Sequence, residues 1–275
     1  MAKNKKRKLP PPAGSKSQSK QQKSNNPPKS VKPREPTIPF DPLDRMLLIG
    51  EGDLSFAVSL TSHHGCSDLT ATTHDSAENV HEKYSPQAAE NIAYLEEEGQ
   101  TVVHSIDATK LDKNKTLTKN GERFDRIIFN FPHVGGKSKD VNRQVRFNQE
   151  LLVGFFNAAK GLVSVPHGSI VVTLFEGEPY TLWNVRDLAR HCGLEVRTSF
   201  KWQREAYPGY RHARTLGNVE GAGGAWKGEE REARSYIFGV KAEEVVKSGS
   251  GSTSNGAVKG QGKRKRGEDS DDDEG

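Results

Sequence analysis

The sequence has no long apolar run and only two cysteines among its 275 residues. Apolar stretches such as residues 46–49 and 170–174 are far shorter than the roughly 20 residues that a membrane-spanning helix needs. Cys66 and Cys192 cannot form the disulfide framework of a small secreted domain, and two cysteines alone do not make a structural zinc site. No apolar segment of a secretion signal follows the N-terminal charges. We therefore expect a protein of a reducing intracellular compartment, with neither a membrane partner nor a metal.

Charge and proline are concentrated at the two ends of the chain. Residues 1–40 carry a net charge of +10 and eight of the fourteen prolines, and residues 241–275 are rich in glycine, serine and blocks of like charge. Neither segment has enough apolar surface to offset the entropy of ordering it. We expect both to be disordered tails around one folded domain of residues 41–240. The net charge of that domain is −4, so it is not a generally basic nucleic-acid binder.

Two short basic clusters stand in these tails, at residues 5–8 and 263–266. Such clusters are typical of nuclear or nucleolar targeting and also bind RNA phosphates. The alternative is a solvated tail that only keeps the protein soluble. We expect a nuclear, nucleolar protein.

Apolar segments of strand and helix length alternate along residues 41–240. This pattern predicts an α/β fold, with a parallel sheet covered by helices on both faces. The expected strands are residues 45–49, 68–74, 101–106, 124–129, 168–175, 194–202 and 234–240, and the expected helices are residues 54–64, 85–99, 141–160 and 182–192.

The first expected strand is followed by two glycines with acids between and after them. Gly50 and Gly52 allow a tight turn and a close backbone approach to a ligand. A dinucleotide site requires a third glycine where this chain has Ser55. Glu51 and Asp53 would repel a pyrophosphate but suit a cationic ligand such as the sulfonium of S-adenosylmethionine.

Acids also follow the next two expected strands, and ligands of such folds bind at the carboxyl ends of the strands. Asp75 suits a ribose diol, and Asp107 suits the amino group of an adenine. An aspartate in either place could instead cap the following helix.

The fourth expected strand ends in Asn130-Phe131-Pro132-His133. This tetrapeptide resembles the Asn/Asp-Pro-Pro-aromatic loop of enzymes that methylate a planar nitrogen. Here the aromatic residue is Phe131, and His133 replaces the final aromatic. The alternative is a plain turn that ends a strand.

Four segments together resemble the eukaryotic large-subunit (25S type) rRNA uridine-N3 methyltransferase family. They are LLIGEGDLSF at residues 47–56, TATTHDS at 70–76, NFPHVGGK at 130–137 and YPGYRHART at 207–215. The resemblance implies a Rossmann-like class I fold, S-adenosylmethionine as the methyl donor and a uridine N3 of large-subunit rRNA, free or in a pre-ribosomal particle, as the acceptor. It implies a donor site that includes Ser55 and Phe56.

The imide proton of uridine N3 has a pKa well above neutrality, so a group must accept it or stabilise the imidate. We expect Asn130 to orient the imide edge and Phe131 to stack on the uracil. His133 is the motif residue that titrates near pH 7, and we expect it to assist deprotonation. The alternative is a solvent-facing loop histidine.

RNA contacts are expected from two clusters that mix basic and aromatic side chains. Their alternative role is that of helix-surface charges and of a loop packed by its own tyrosines. We expect the enzyme to act as a monomer, and the glycine-rich residues 217–228 to form a loop between the last two strands. The clusters are Lys137, Lys139, Arg143 and Arg146, and Tyr207, Tyr210, Arg211, His212 and Arg214.

Two other functions remain open. One is a non-catalytic rRNA-binding assembly factor that keeps the fold, and the other is an NAD-dependent oxidoreductase. The oxidoreductase predicts glycine or alanine at position 55 and gives no reason for the Asn130 motif.

Overall fold

The computed structural model describes residues 35–136, 138–213 and 231–241, which contain seven strands and five α-helices. Short 3₁₀ turns lie at Ala108–Lys113, Lys119–Gly121, Tyr180–Trp183 and Arg204–Ala206. The strands are β1 Arg45–Ile49, β2 Asp68–Thr72, β3 Thr101–Val103, β4 Arg126–Asn130, β5 Ser169–Phe175, β6 Leu194–Trp202 and β7 Ala233–Val240. The helices are α1 Ser55–His64, α2 Ala77–Tyr84, α3 Gln87–Glu97, α4 Val141–Lys160 and α5 Val185–His191.

All seven strands belong to one sheet in the order β3-β2-β1-β4-β5-β7-β6. Strands β1 to β5 pair in parallel, which confirms the predicted α/β class. The expectation of a wholly parallel sheet is wrong for β7, which lies antiparallel between β5 and β6. A parallel connection needs a crossover, usually a helix, and the sequence between β6 and β7 has no helical pattern.

The sheet is buried between two apolar layers because successive side chains of a strand point to opposite faces. In β1, Leu47 and Ile49 join the cluster that includes the apolar side of α4. Met46 and Leu48 join a second cluster with residues of α1 and α3. All four side chains are essentially inaccessible to solvent. This double burial rigidly fixes the end of β1, from which the functional loop described below begins.

The largest difference from the expected elements is α2, which the sequence analysis missed. Ser76 begins this helix, and its hydroxyl accepts a hydrogen bond from the backbone N–H of Asn79. Ser85, the expected helix cap, instead ends α2, and α3 starts after Pro86. Strands β2 and β3 are also shorter than expected, whereas β1, α4 and β6 have the expected bounds.

Ile38 and Phe40 already pack on the second apolar cluster, so the compact body begins before the expected boundary at residue 41. The predicted tails lie almost wholly outside the described residues, and their disorder stays a prediction. Within the described ranges, no helix is long and apolar enough to cross a membrane, and no cluster of metal-ligating side chains occurs. Cys66 and Cys192 are buried free thiols.

Candidate functional site

A cavity of about 480 Å³ lies at the carboxyl ends of β1, β2 and β4, where the parallel strands meet. We call it the rim cavity. Its volume falls in the range of small-molecule sites. It is bounded by the loop after β1, the turn after β3 and the first half of α4. Its walls are Ile49, Gly50, Glu51, Gly52, His74, Asp75, Tyr84, Ile106, Asp107, Ala108, Thr109, Phe129, His133, Val134, Phe147, Glu150 and Leu151.

Residues 50–53, which we call the glycine loop, cross this rim in a turn that needs both glycines. Gly50 has a φ of +67°, and a Cβ there would lie 2.9 Å from the Phe129 ring. A Cβ at Gly52 would lie 2.6 Å from the Cβ of Ala213. Glycine at these positions therefore lets the loop lie against β4 on one side and the 207–213 segment on the other.

Glu51 lines the rim cavity with a carboxyl whose pKa burial shifts strongly. Burial raises the pKa of its carboxyl to about 8, and the nearby Asp53 adds to the shift. Backbone N–H groups of Phe56 and Ala57, at the start of α1, donate to it and oppose the shift. Among the described residues, no ammonium or guanidinium pairs with Glu51. The carboxyl therefore suits a cationic ligand.

Asp53, Ser55 and Phe56 do not line the rim cavity. The Asp53 carboxylate accepts hydrogen bonds from the N–H and hydroxyl of Ser55, at 3.0 and 2.7 Å. The Ser55 hydroxyl also accepts from the Arg211 N–H at 3.0 Å and donates to the Arg211 carbonyl at 3.1 Å. Phe56 is a core side chain. These three residues hold the glycine loop to α1 and to the 207–213 segment.

Asp75 and Asp107 line the rim cavity, but each already has a cationic partner. Lys83 of α2 donates to both carboxylate oxygens of Asp75, at 2.8 and 2.9 Å. Asp107 accepts from the Thr109 N–H at 2.9 Å and pairs with Lys110 at 2.8 Å.

Asp107 is thus also the cap of the turn that follows it. Partial burial acts to raise its pKa, but the hydrogen bonds from Lys110 and Thr109 outweigh burial and lower the pKa to about 2. A carboxylate that stays ionised remains a hydrogen-bond acceptor for a ligand.

Residues 130–136, which we call the motif loop, follow β4. The side-chain Nδ2 of Asn130 is buried and has no hydrogen-bond partner in the described structure. A buried donor without a partner costs about 1–3 kcal/mol, so it marks a group that a ligand could satisfy. Phe131 has a φ of +50°, a strained backbone conformation for a bulky residue. Its ring contacts Phe175, Trp202 and His212 rather than the rim cavity.

His133 belongs to the rim cavity and has a defined tautomer. The Gly135 N–H donates to His133 Nδ1 at 2.9 Å, so Nε2 carries the hydrogen of the neutral ring. His133 keeps exposed surface, as the solvent-facing alternative expects, and partial burial of its ring lowers its pKa, which favours the neutral form. In this geometry His133 is a hydrogen-bond donor through Nε2, and it can take up a proton only at the nitrogen that Gly135 occupies.

Some of the residues expected to bind RNA are exposed in the structure, and others are buried or lie outside the described residues. Arg143 and Arg146 are exposed near the start of α4, and Lys139 precedes that helix, also exposed. Lys137 and Arg214 lie outside the described residues, as do residues 217–228.

The expected exposed tyrosines are instead core residues. Tyr207 and Tyr210 are 3% and 8% exposed, and both rings pack on Phe56 and Trp202. Their faces are therefore taken up by apolar neighbours. Arg211 is exposed, and His212 is half-buried against Phe131.

Sequence reasoning missed three contributors to the region. Phe175 ends β5 and Trp202 ends β6, and both rings meet Phe131. Phe147 projects from α4 into the rim cavity. The only sequence signal for Phe175 and Trp202 was an aromatic residue at the carboxyl end of an expected strand, where site residues concentrate. Phe147 lies within an expected helix and had no such signal.

Comparison with known proteins identifies the family of the chain. A family model described as "BMT5-like: rRNA (uridine-N3-)-methyltransferase BTM5-like" matches residues 47–214. A relative from Saccharomyces cerevisiae, 25S rRNA (uridine(2634)-N(3))-methyltransferase, is 32% identical over 73% of this chain and 74% of its own length. Heavy metal-associated isoprenylated plant protein 41 from Arabidopsis thaliana is 37% identical over 62% of this chain and 33% of its own length.

A solved structure, a TehB-like SAM-dependent methyltransferase from Corynebacterium glutamicum, has a TM-score of 0.38 and 14% identity. The match covers 72% of this chain and 82% of that one.

Proposed function

The chain belongs to the BMT5-like family of rRNA (uridine-N3-)-methyltransferases, and we propose that it transfers a methyl group from S-adenosylmethionine to N3 of a uridine in large-subunit rRNA. The family resemblance of the four sequence segments is thereby confirmed. The observation that carries the proposal is that the glycine loop and His133 of the motif loop border one cavity.

The rim cavity suits S-adenosylmethionine in size and charge. Its volume of about 480 Å³ is adequate for a nucleoside with an amino-acid tail. Glu51 offers a carboxyl without a cationic partner among the described residues, which favours a cationic group. Asp75 and Asp107 offer acceptors for the ribose hydroxyls and the adenine amino group. When bound, S-adenosylmethionine supplies an electrophilic methyl group on a positively charged sulfur.

For the acceptor, we propose that the motif loop stabilises the uracil imidate, which forms when the N3–H bond breaks and the proton passes to solvent water. Negative charge then spreads over N3 and the two carbonyl oxygens that flank it. Asn130 Nδ2 and His133 Nε2 are hydrogen-bond donors, and donors directed at those oxygens would lower the cost of the imidate. This assignment replaces a proton-accepting role for His133, because its other nitrogen already accepts from Gly135.

We propose that Arg143 and Arg146 contact phosphates that flank the acceptor nucleotide. Both are exposed on the helix that follows the motif loop. The negative net charge of residues 41–240 makes such local basic groups necessary. We further propose that the protein acts as a monomer on pre-ribosomal particles in the nucleolus, where its basic terminal clusters direct it.

The test is methylation of large-subunit rRNA by the purified full-length protein with S-adenosylmethionine, followed by mass spectrometry of the nucleosides. We expect 3-methyluridine to appear and no other methylated base. Donor binding without methylation of rRNA or of pre-ribosomal particles would favour the non-catalytic assembly factor. Binding of NAD in place of S-adenosylmethionine would favour the oxidoreductase.

A further inference from the structure

A second, much smaller cavity borders Phe131 and shares no lining residue with the rim cavity. It is lined by Phe131, Phe175, Trp202, Tyr210 and His212, with Arg204 and Arg231 at its margin. We call it the aromatic pocket. Its free volume is about 10 Å³, which holds no more than one water. The described aromatic rings therefore fill it almost completely.

His212 is a half-buried ring at one side of this cluster. Phe131 and Phe175 stack with centroids 4.4 Å apart and planes at 30°. His212 lies 4.6 Å from Phe131 and 5.5 Å from Phe175, at steep angles to both. These three distances place the imidazole beside the stacked pair rather than on top of it. Its Nδ1 lies 3.1 Å from the hydroxyl of Tyr210.

The His212 side chain is a planar, uncharged ring that forms a hydrogen bond and is surrounded by aromatic side chains. Burial lowers the pKa of His212 to about 4, so the ring is neutral near pH 7. A uracil is also planar and uncharged and carries hydrogen-bonding edges. The same surroundings, edge-to-face aromatic contacts and a tyrosine hydroxyl, would satisfy either ring.

The backbone on both sides of His212 is held by contacts with the glycine loop and α1. Arg211 exchanges two hydrogen bonds with Ser55, at 3.0 and 3.1 Å. Tyr210 is buried against Phe56, with centroids 5.3 Å apart. Ala213 rests against Gly52. With its neighbours fixed, His212 can leave the aromatic pocket by side-chain rotation, without displacement of the glycine loop.

We infer that the aromatic pocket receives the acceptor pyrimidine base, and that His212 occupies this place until the base displaces it. The inference rests on the proposed function and names the base-binding site of that reaction. Phe131 belongs to both the pocket and the motif loop, so a base held here contacts the residue that follows Asn130 in the chain. Arg204 and the exposed Arg231 flank the pocket and suit the adjoining phosphates.

The test compares two substitutions at one position. The His212→Ala protein has no ring to displace, and we expect it to bind a hexameric oligouridylate on the order of tenfold more tightly than the unchanged protein. His212→Phe places an apolar ring in the pocket, and exposure of that ring to water is unfavourable. We therefore expect this variant to bind the oligouridylate more weakly than the unchanged protein. Affinity is read from the fluorescence of Trp202, and Trp202→Phe identifies the signal as its own.

Two controls separate base recognition from phosphate binding and from loss of a buried histidine. An abasic hexamer of the same length should bind both His212 variants and the unchanged protein equally. His104→Ala removes another partly buried histidine, which hydrogen-bonds Thr73 away from the aromatic pocket, and should leave oligouridylate affinity unchanged. Equal or weaker binding of oligouridylate by His212→Ala would overturn the inference.

The outcome is separable from that of the proposed function. If rRNA is methylated at uridine N3 but the His212 variants bind oligouridylate like the unchanged protein, the pocket assignment fails and the enzymatic function stands. If no methylation occurs but the variants shift affinity in opposite directions, the pocket stands and the proposed reaction fails.

Discussion

The two cavities beside the motif loop, the rim cavity and the aromatic pocket, differ in volume, in charge and in the side chains that line them. The rim cavity has a volume of about 480 Å³ and three acidic side chains along the strand ends, at Glu51, Asp75 and Asp107. The aromatic pocket has about 10 Å³ and is lined by aromatic rings and arginines. A preformed acidic cavity suits a small cationic molecule. A filled aromatic one suits a base that must first leave its own stack.

Asn130 lies in the chain between Phe129, which lines the rim cavity, and Phe131, which lines the aromatic pocket, and its substitution should have the largest effect. Asn130→Ala removes a donor that has no partner in the described protein. Loss of one donor to a developing oxyanion costs about 10²–10³-fold in kcat. We expect a loss of that size in methyl transfer, with unchanged donor affinity by calorimetry.

Thr173→Ala is the matched control, since Thr173 is the neighbour of Asn130 on β5. Its hydroxyl bonds to that of Ser235 at 2.9 Å, so this variant should lose stability and keep its kcat. Asn130→Ala should lose less stability than Thr173→Ala because it breaks no side-chain hydrogen bond of Nδ2. A drop in melting temperature without a drop in kcat would assign Asn130 a structural role.

Substitution of Glu51 tests whether the acidic rim cavity binds a cationic donor. Its pKa is about 8 in the free protein, so the carboxyl is mostly protonated below that pH and ionised above it. If only the ionised form binds the cationic donor, affinity rises with pH and levels off above about 8. The change is about tenfold for each pH unit below the pKa.

The measurement is calorimetric titration with S-adenosylmethionine from pH 6 to 9. Glu51→Gln should bind weakly with no such slope. Glu150→Gln alters another acid of the same cavity, one with exposed surface, and should retain the slope. Equal slopes for Glu51→Gln and the unchanged protein would show that another group titrates.

Sequence reasoning located the rim cavity better than the aromatic pocket, for a physical reason. Gly50, Glu51, Gly52, Asp75, Asp107 and His133 all border one cavity because parallel strands bring their ends together. The role of each as a site residue stays a prediction. Ser55 and Asp53 have the local roles of hydrogen-bonding the loop, which only the folded chain reveals.

The aromatic pocket could not be located from the sequence, because a sequence does not show whether an aromatic side chain is buried or exposed. Tyr207 and Tyr210 alternate with basic groups, a pattern that indicates nucleic-acid stacking, yet both are buried against Phe56. Phe175 meets Phe131 because β4 and β5 pair, whereas Trp202 reaches Phe131 from β6, across the antiparallel β7. The direction of β7 was itself not predicted, so the contact could not be.

The smallest predicted effect is the pH dependence of oligouridylate binding, which we attribute to His212 in the aromatic pocket. Its pKa is about 4 inside the pocket, and an ordinary value near 6.5 is expected once the ring reaches water. Below about pH 6.5, the imidazole of His212 therefore binds a proton when it is outside the pocket but not when it is inside. A fall in pH below this value shifts the equilibrium toward the protein with His212 outside the pocket. Among the described residues that line the pocket, the other titratable and charged groups are the Tyr210 hydroxyl, Arg204 and Arg231.

We expect oligouridylate affinity to rise about tenfold between pH 7.5 and 5.5, since one pH unit below the free pKa shifts the opening equilibrium by that factor. His212→Ala should show a flat profile at the higher affinity, and His104→Ala should keep the rise. An identical rise in His212→Ala would assign the proton to another group. The aromatic pocket would then differ from the rim cavity in shape alone and not in its response to acid.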